Sequence, residues 1–351
     1  MDPSSPSIIN LPPDRQTVFD ALCFMQAPLN ITRLGELLGS RRTARGSAFH
    51  GPELRRLLGE LHLAGLASST PQGQWFVPAR LAGPHFAALV QDDLTRQAWW
   101  LAWQRLVQFT STWYLELFGD EAMVGAIRVV VLAGGTPEAF DRLCKISRNA
   151  SPEHPNLLAS AFLRPFDEAL WARIDPELRY RLLKNLLSHL GGDAEAYTLP
   201  LWQWLQKQSQ PQAHALHDDL RLRLAEHCLL VGDTAEVRRV LLALDHPEAQ
   251  ALRAGADIVE GHYAEGISAF ELAWKEAAAL AGKRKLLFSP PTSWFYLLAL
   301  IAQPEPAAWT KARKFAAAEA GKRDADAYTF WGVWQEAIDQ RLGDAPRNPR
   351  A

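Results

Sequence analysis

Beyond residue 84, apolar side chains recur at three- and four-residue intervals in nearly every stretch between turn signals. That period belongs to helices with one buried face. A chain that keeps it to about residue 340 is restricted to layers of helix packed on helix over that span. Thr136-Pro137-Glu138 and Asp175-Pro176-Glu177 each set a capping oxygen before a proline in the first turn, a helix-start signal. The second opens a run with Leu178, Leu182, Leu186 and Leu190 in register, closed by Gly191-Gly192. Phe86, Leu89, Val90, Leu94, Trp99, Trp103, Leu106 and Trp113 predict one long helix over 84–118. Another is predicted over 121–132, ended by Gly134 and Gly135. There Val129-Val130-Val131 suits a strand, but Met123, Ile127, Val130 and Val131 keep helical spacing.

The last third repeats itself weakly. In 260–277, Gly261, Tyr263, Gly266, Phe270 and Ala273 fall at the spacing of tetratricopeptide hairpins. Gly232, Val237, Leu241 and Leu244 echo the pattern, with Gly232 29 residues before Gly261. A third pair is expected over 294–302 and 306–320. Such hairpins cannot bury their apolar faces alone, so stacking into an α-solenoid is expected. Twelve of the 13 Trp lie beyond residue 98 and read as core fillers between helix layers. Trp99, Trp100 and Trp103 are so close that they are not all expected to face inward.

The first 80 residues have a different order. Asp14 is placed to cap a helix with Val18, Phe19, Leu22, Cys23 and Met25 on one side, ended by Pro28. Asn30 caps a second, with Ile31, Leu34, Leu37 and Leu38 inward and Gly39 as its stop. A basic loop follows, then a third helix from about Pro52 carrying Leu54, Leu57, Leu58 and Leu61. Two short extended runs around Pro71-Gln72-Gly73 signal a hairpin. Three helices and a hairpin are the order of a winged helix, in which the third helix enters the major groove of duplex DNA and the hairpin touches its backbone. The overall expectation is mainly α: an N-terminal winged helix followed by an α-solenoid of tetratricopeptide-like helical hairpins. Its divisions are a terminus over 1–13, the winged helix over 14–80, a helical linker and hairpin region over 84–200, repeats over 201–342 and a tail over 343–351.

Arg41, Arg42 and Arg45 lie in the loop before the third helix, and Arg55 and Arg56 on its outer side. No acid occurs between Glu36 and Glu53, so these five are the candidate phosphate contacts. The balance is local. The whole chain has 37 Lys plus Arg against 39 Asp plus Glu, a net charge of −2, which excludes a uniformly basic nucleic-acid coat. Winged helices also serve as plain protein contacts, and both uses stay open. Lys283-Arg284-Lys285 forms a second basic spot at a helix end, where it complements the dipole. Were Lys311, Arg313 and Lys314 to share its surface, a phosphate-bearing partner would gain support.

No catalytic pattern is present. Gly282-Lys283 and Gly321-Lys322 lack the remaining residues of a phosphate loop, and no GxSxG or HExxH occurs. His214 and His217, with His227 nearby, are the densest histidine group but have no second ligand pair, so no metal is expected. Cys23, Cys144 and Cys228 are far apart in apolar segments and suit a reducing, cytoplasmic setting. The N-terminus lacks the pattern of a signal peptide. The uncharged run 286–304 is interrupted by Pro290 and Pro291, so no membrane contact is expected.

One stretch carries a resemblance. Over 270–302, Gly282, Lys283, Arg284 and Lys285 are followed by Phe295, Tyr296, Leu297, Leu298, Ala299 and Leu300. This resembles the long non-catalytic N-terminal region of bacterial SNF2-family DEAD/DEAH-box helicases, over about 70 residues. The resemblance implies an accessory region of a motor that moves along duplex DNA, with duplex DNA and the SNF2 motor domain or another protein as partners. None of the motor's motifs is in this sequence, so no catalytic residue carries over. No cofactor is expected in this chain; ATP and magnesium would belong to a downstream motor. The competing expectation is a stand-alone tetratricopeptide-like adaptor whose winged helix is a protein contact.

Overall fold

The computed structural model describes residues 11–39, 41–106, 113–150, 157–190, 197–210, 216–282, 288–322 and 330–343. Among the described residues the protein is mainly α, with 18 helices and one two-stranded sheet. None of those helices is long and apolar enough to cross a membrane. The chain divides into two compact units, Met1–Leu201 and Trp202–Ala351.

The first unit is built around α1 (Pro13–Met25). Its C-terminal half is apolar on nearly every side, with Val18, Phe19, Ala21, Leu22, Cys23, Phe24 and Met25 all buried and Asp20 bonded to His85. A helix apolar all round must be covered all round. Here α2 (Ile31–Leu38), α3 (Gly51–Leu63), α4 (Ala79–Leu89), α5 (Asp93–Leu106) and α6 (Trp113–Ala133) supply the cover. Between α3 and α4, β1 (Ser68–Ser69) pairs antiparallel with β2 (Trp75–Phe76). Leu29, between α1 and α2, joins this hairpin by exchanging backbone hydrogen bonds of 2.8 and 2.7 Å with Trp75. The turn relies on Gly73, whose φ of 75° disfavours any residue with a Cβ.

Local capping follows the sequence closely. The Asn30 side chain accepts from Arg33 N at 2.8 Å and starts α2. Thr136 accepts from Ala139 N at the start of α7 (Pro137–Ala150), and Asp175 from Glu177 N and Leu178 N at the start of α10 (Pro176–Leu190). Gly134, with φ 110°, ends α6, and Val129 to Val131 are helical and buried. The proposed stop at Gly191-Gly192 lies outside the described residues.

Three expectations are corrected. The single helix over 84–118 is instead α4, α5 and the start of α6, and Pro84 lies inside α4 rather than at its head. The apolar period runs on past the break, but the Asp92 carboxylate accepts from Thr95 N at 2.8 Å and restarts the helix. Asp14 does not cap α1. Pro12 holds that position, and the Asp14 carboxylate instead accepts from Ala44 N at 2.6 Å, across 30 residues of chain. Finally, Trp99, Trp100 and Trp103 are all buried. α5 packs on α1, α2 and α6, so more of its circumference is covered than one apolar stripe requires.

The remaining elements of this unit include α8 (Leu157–Phe162) and α9 (Glu168–Arg173). Arg128 on α6 joins α8 to the end of α1. Its guanidinium donates to Ala161 O at 2.7 Å, Ser160 O at 3.4 Å and Gln26 Oε1 at 3.0 Å. α11 (Leu199–Gln208) spans the division between the units.

The second unit contains α12 (Asp218–Leu230), α13 (Thr234–Val240), α14 (Pro247–Val259), α15 (Tyr263–Leu280), α16 (Pro290–Ala302), α17 (Pro306–Lys322) and α18 (Phe330–Arg341). Consecutive helices pack as pairs, and α12, α14 and α16 also pack on one another. Ala249, Ala251, Ala254, Gly255 and Ala256 let other helices approach α14 closely. A Cβ on Gly266 would sit 2.5 Å from Ile258 Cγ1 and 2.9 Å from the Ala254 carbonyl. Phe270 stacks on Tyr296 with ring centroids 4.3 Å apart, and Phe315 meets Tyr296 edge-on at 4.8 Å. Arginines close the turn after α13. Arg221 donates to Val240 O and Leu242 O, and Arg253 to Leu241 O and Leu244 O. Of these carbonyls, that of Val240 belongs to the last turn of α13, which a helix leaves without an internal partner.

Candidate functional site

The loop between α2 and α3 is a short hairpin. Arg42 and Ala48 form an antiparallel bridge. Thr43 N donates to Ser47 O, and Gly46 N to Thr43 O, both at 2.8 Å. Gly46 takes φ 80° to close the turn. Thr43 is buried and its hydroxyl lies 2.9 Å from that of Ser47. The Asp14 contact to Ala44 N ties the hairpin to the first turn of α1.

The five predicted arginines separate into three groups. Arg42, Arg45 and Arg55 are exposed, and none has an ion-pair partner among the described residues. Arg56 is exposed but paired with Glu60 at 2.5 Å, and Glu60 also takes Arg15 at 3.2 Å. Arg41 is half-buried, with its guanidinium 3.7 Å from the centroid of the Trp99 ring. Burial lowers its pKa and the Asp20 carboxylate partly opposes this. Among acids close in sequence or tied to this loop, Glu36 pairs with Arg33, Glu60 with Arg15 and Arg56, and Asp14 bonds the Ala44 amide, while Glu53 is half-buried. Between Arg42 and Arg55 the sequence holds one carboxylate, Glu53. Sequence reasoning did not single out Arg80, an exposed cation in the first turn of α4. Its only signal was its place just after the hairpin.

The second basic cluster is partly visible. Lys311 pairs with Glu271, whose carboxylate also accepts from Tyr296 Oη at 2.9 Å, and Lys314 is exposed. Lys283, Arg284 and Lys285 lie outside the described residues, as does His214. His217 occupies the N-cap of α12, and His227 lies flat on Trp202 with centroids 4.0 Å apart. Burial lowers the His227 pKa to about 4, so its ring is neutral near pH 7. No group of three or more His, Cys, Asp or Glu among the described residues is arranged to hold a metal ion. The thiols of Cys23 and Cys228 are buried, which raises both pKa values, that of Cys228 to about 11. Neither is a nucleophile at neutral pH.

No family model, curated protein or solved structure matches this chain.

Proposed function

We propose that the N-terminal helices and hairpin form a winged-helix module that binds duplex DNA. Arg42, Arg45 and Arg55 would meet the negative charge of the duplex. The observation that carries this reading is that these three guanidinia are exposed and have no ion-pair partner among the described residues. The order α1, Leu29 bridge, α2, α3, β1, β2 supports the winged-helix reading, since the Leu29–Trp75 bridge ties the segment between α1 and α2 to the hairpin. The paired helices of the second unit support an α-solenoid of tetratricopeptide-like hairpins acting as a protein-docking stack. In the fuller proposal the chain is a non-catalytic accessory region of an SNF2-type DNA motor, a reading that rests on the resemblance around Phe295 to Leu300.

A second reading has its own observation. Leu63, at the end of α3, is 88% exposed, and Arg56 is held by Glu60. An apolar end and a partly neutralised face suit a helix that docks on protein, so an adaptor role competes with DNA binding.

Fluorescence anisotropy of the full chain with a short labelled duplex separates the two. Three such cationic contacts give a slope of log affinity against log salt of about −3. Replacing Arg42, Arg45 and Arg55 together by Ala is expected to flatten it. Wild-type protein with no salt-dependent binding, or a triple variant that binds as wild type does, would reject the DNA reading.

A further inference from the structure

The hairpin between α2 and α3 differs from the β1–β2 hairpin in one chemical respect. The β1–β2 turn, Thr70-Pro71-Gln72-Gly73-Gln74, carries no charged side chain. The α2–α3 turn carries Arg45 at its tip, between Ala44 on one side and Gly46, Ser47 and Ala48 on the other. Ala44 to Ser47 are all exposed. Arg45 is thus a single long cationic side chain on a slim support.

Both feet of this support are fixed. Arg41 precedes it, stacked on Trp99, and Phe49 follows it, buried. Thr43 is buried between them, and the Asp14 carboxylate holds the Ala44 amide. A tip ordered in advance loses little conformational entropy on binding.

The minor groove of B-form DNA is about 6 Å wide against about 12 Å for the major groove. In A·T-rich tracts it narrows further, and its negative potential deepens and attracts arginine. A wide support cannot enter such a slot, whereas one guanidinium flanked by Ala, Gly and Ser fits it. Resting on the duplex-DNA reading above, we propose that the α2–α3 hairpin, rather than the β1–β2 hairpin, is the groove-reading element, and that Arg45 enters the minor groove of A·T-rich duplex DNA. Arg42 at the foot of the hairpin and Arg55 one turn into α3 remain outside to meet phosphates. The uncharged β1–β2 turn supplies no ionic contact.

The test uses the full chain and two duplexes of equal length. One holds an A·T tract. In the other, 2,6-diaminopurine replaces adenine, which puts an amino group in the minor groove and leaves the major-groove edge unchanged. Wild-type protein is expected to bind the diaminopurine duplex about tenfold more weakly. Arg45→Ala should bind both duplexes alike, at about the weaker affinity. Arg45→Lys should keep most of the salt dependence and lose most of the discrimination, and Gln72→Ala should behave as wild type. Circular dichroism checks that each variant is folded, and the comparison of duplexes on wild-type protein needs no variant at all. Equal wild-type binding of the two duplexes, with a steep salt dependence, overturns this proposal and leaves the DNA reading standing. So does an Arg45→Ala variant that keeps the preference. No duplex binding at low salt, or a preference for single-stranded RNA, overturns both.

Discussion

The guanidinium of Arg41 lies over the indole of Trp99, 3.7 Å from the ring centroid. Arg41 belongs to the basic run before α3, yet in the fold it faces α5. Trp99 in turn stacks on Phe24 of α1 at 5.8 Å. The contact is partly desolvated, where a cation–π pair is worth about 1–2 kcal/mol. Arg41→Ala is therefore expected to lower unfolding free energy by about that amount in urea titration, and Arg41→Lys by less. A double-mutant cycle with Trp99→Leu should show coupling. The salt slope of DNA binding should change less in Arg41→Ala than in Arg45→Ala; equal changes would make Arg41 a phosphate contact.

Arg128 is a half-buried cation whose hydrogen-bond partners among the described residues are all neutral. It binds two last-turn carbonyls of α8 and the side chain of Gln26, which ends α1 at φ 50°. Burial lowers its pKa, and the negative end of α8 compensates the charge. Arg128→Ala leaves three partly buried acceptors without their donor and should destabilise the protein by about 1–3 kcal/mol. Gln26→Ala removes one acceptor and should cost about 1 kcal/mol. A thermal melt in which the two variants are equal would show that the α8 contacts contribute nothing.

Two helical glycines predict opposite signs. On α15, a Cβ at Gly266 meets Ile258 and the Ala254 carbonyl, so Gly266→Ala should cost about 1–3 kcal/mol. Ile258→Val in the same chain should recover little of the loss, since it removes only Cδ1 and leaves Cγ1 and the Ala254 carbonyl in place. On α3, nothing lies within 4 Å of a Cβ at Gly59. Gly59→Ala should stabilise by about 0.5–1 kcal/mol. Denaturant midpoints of the two variants moving in the same direction would contradict this packing.

His227 predicts a pH dependence. Its folded pKa, about 4, lies below the ordinary value of 6.5 because the ring is buried against Trp202. Below pH 6.5 the unfolded chain takes up a proton that the folded ring refuses. Stability is thus complete above that pH and is lost as pH falls toward about 4, where the loss levels off. His227→Gln should remove this part of the slope. The difference between the two stability curves, measured by urea unfolding, isolates it from the carboxylates, which are common to both chains.

Helix starts such as Asn30, Thr136 and Asp175 were legible because a cap is a contact across two or three residues, and its geometry is local. So was the helical class, and so was Gly266, whose spacing from Phe270 and Ala273 marked it as part of a packed face. The break at Asp92 was not, because the apolar period continues through it and one competing side-chain bond decides the matter. The Trp99–Trp103 group was misjudged for a different reason. Periodicity counts the stripe a single neighbour covers, and α5 has three neighbours.

The sequence by itself determined that this chain is helical, where several of its helices begin, and that its arginines cluster before α3. Only the tertiary structure decided what each arginine does. Arg41 turns onto Trp99, Arg56 pairs with Glu60, and Arg42, Arg45 and Arg55 are left in solvent. Charge is a property of a residue, but its availability is set by partners far away in the chain. Asp14 illustrates this: a carboxylate in the right place to cap its own helix bonds instead to an amide 30 residues on, and so holds the hairpin that presents Arg45.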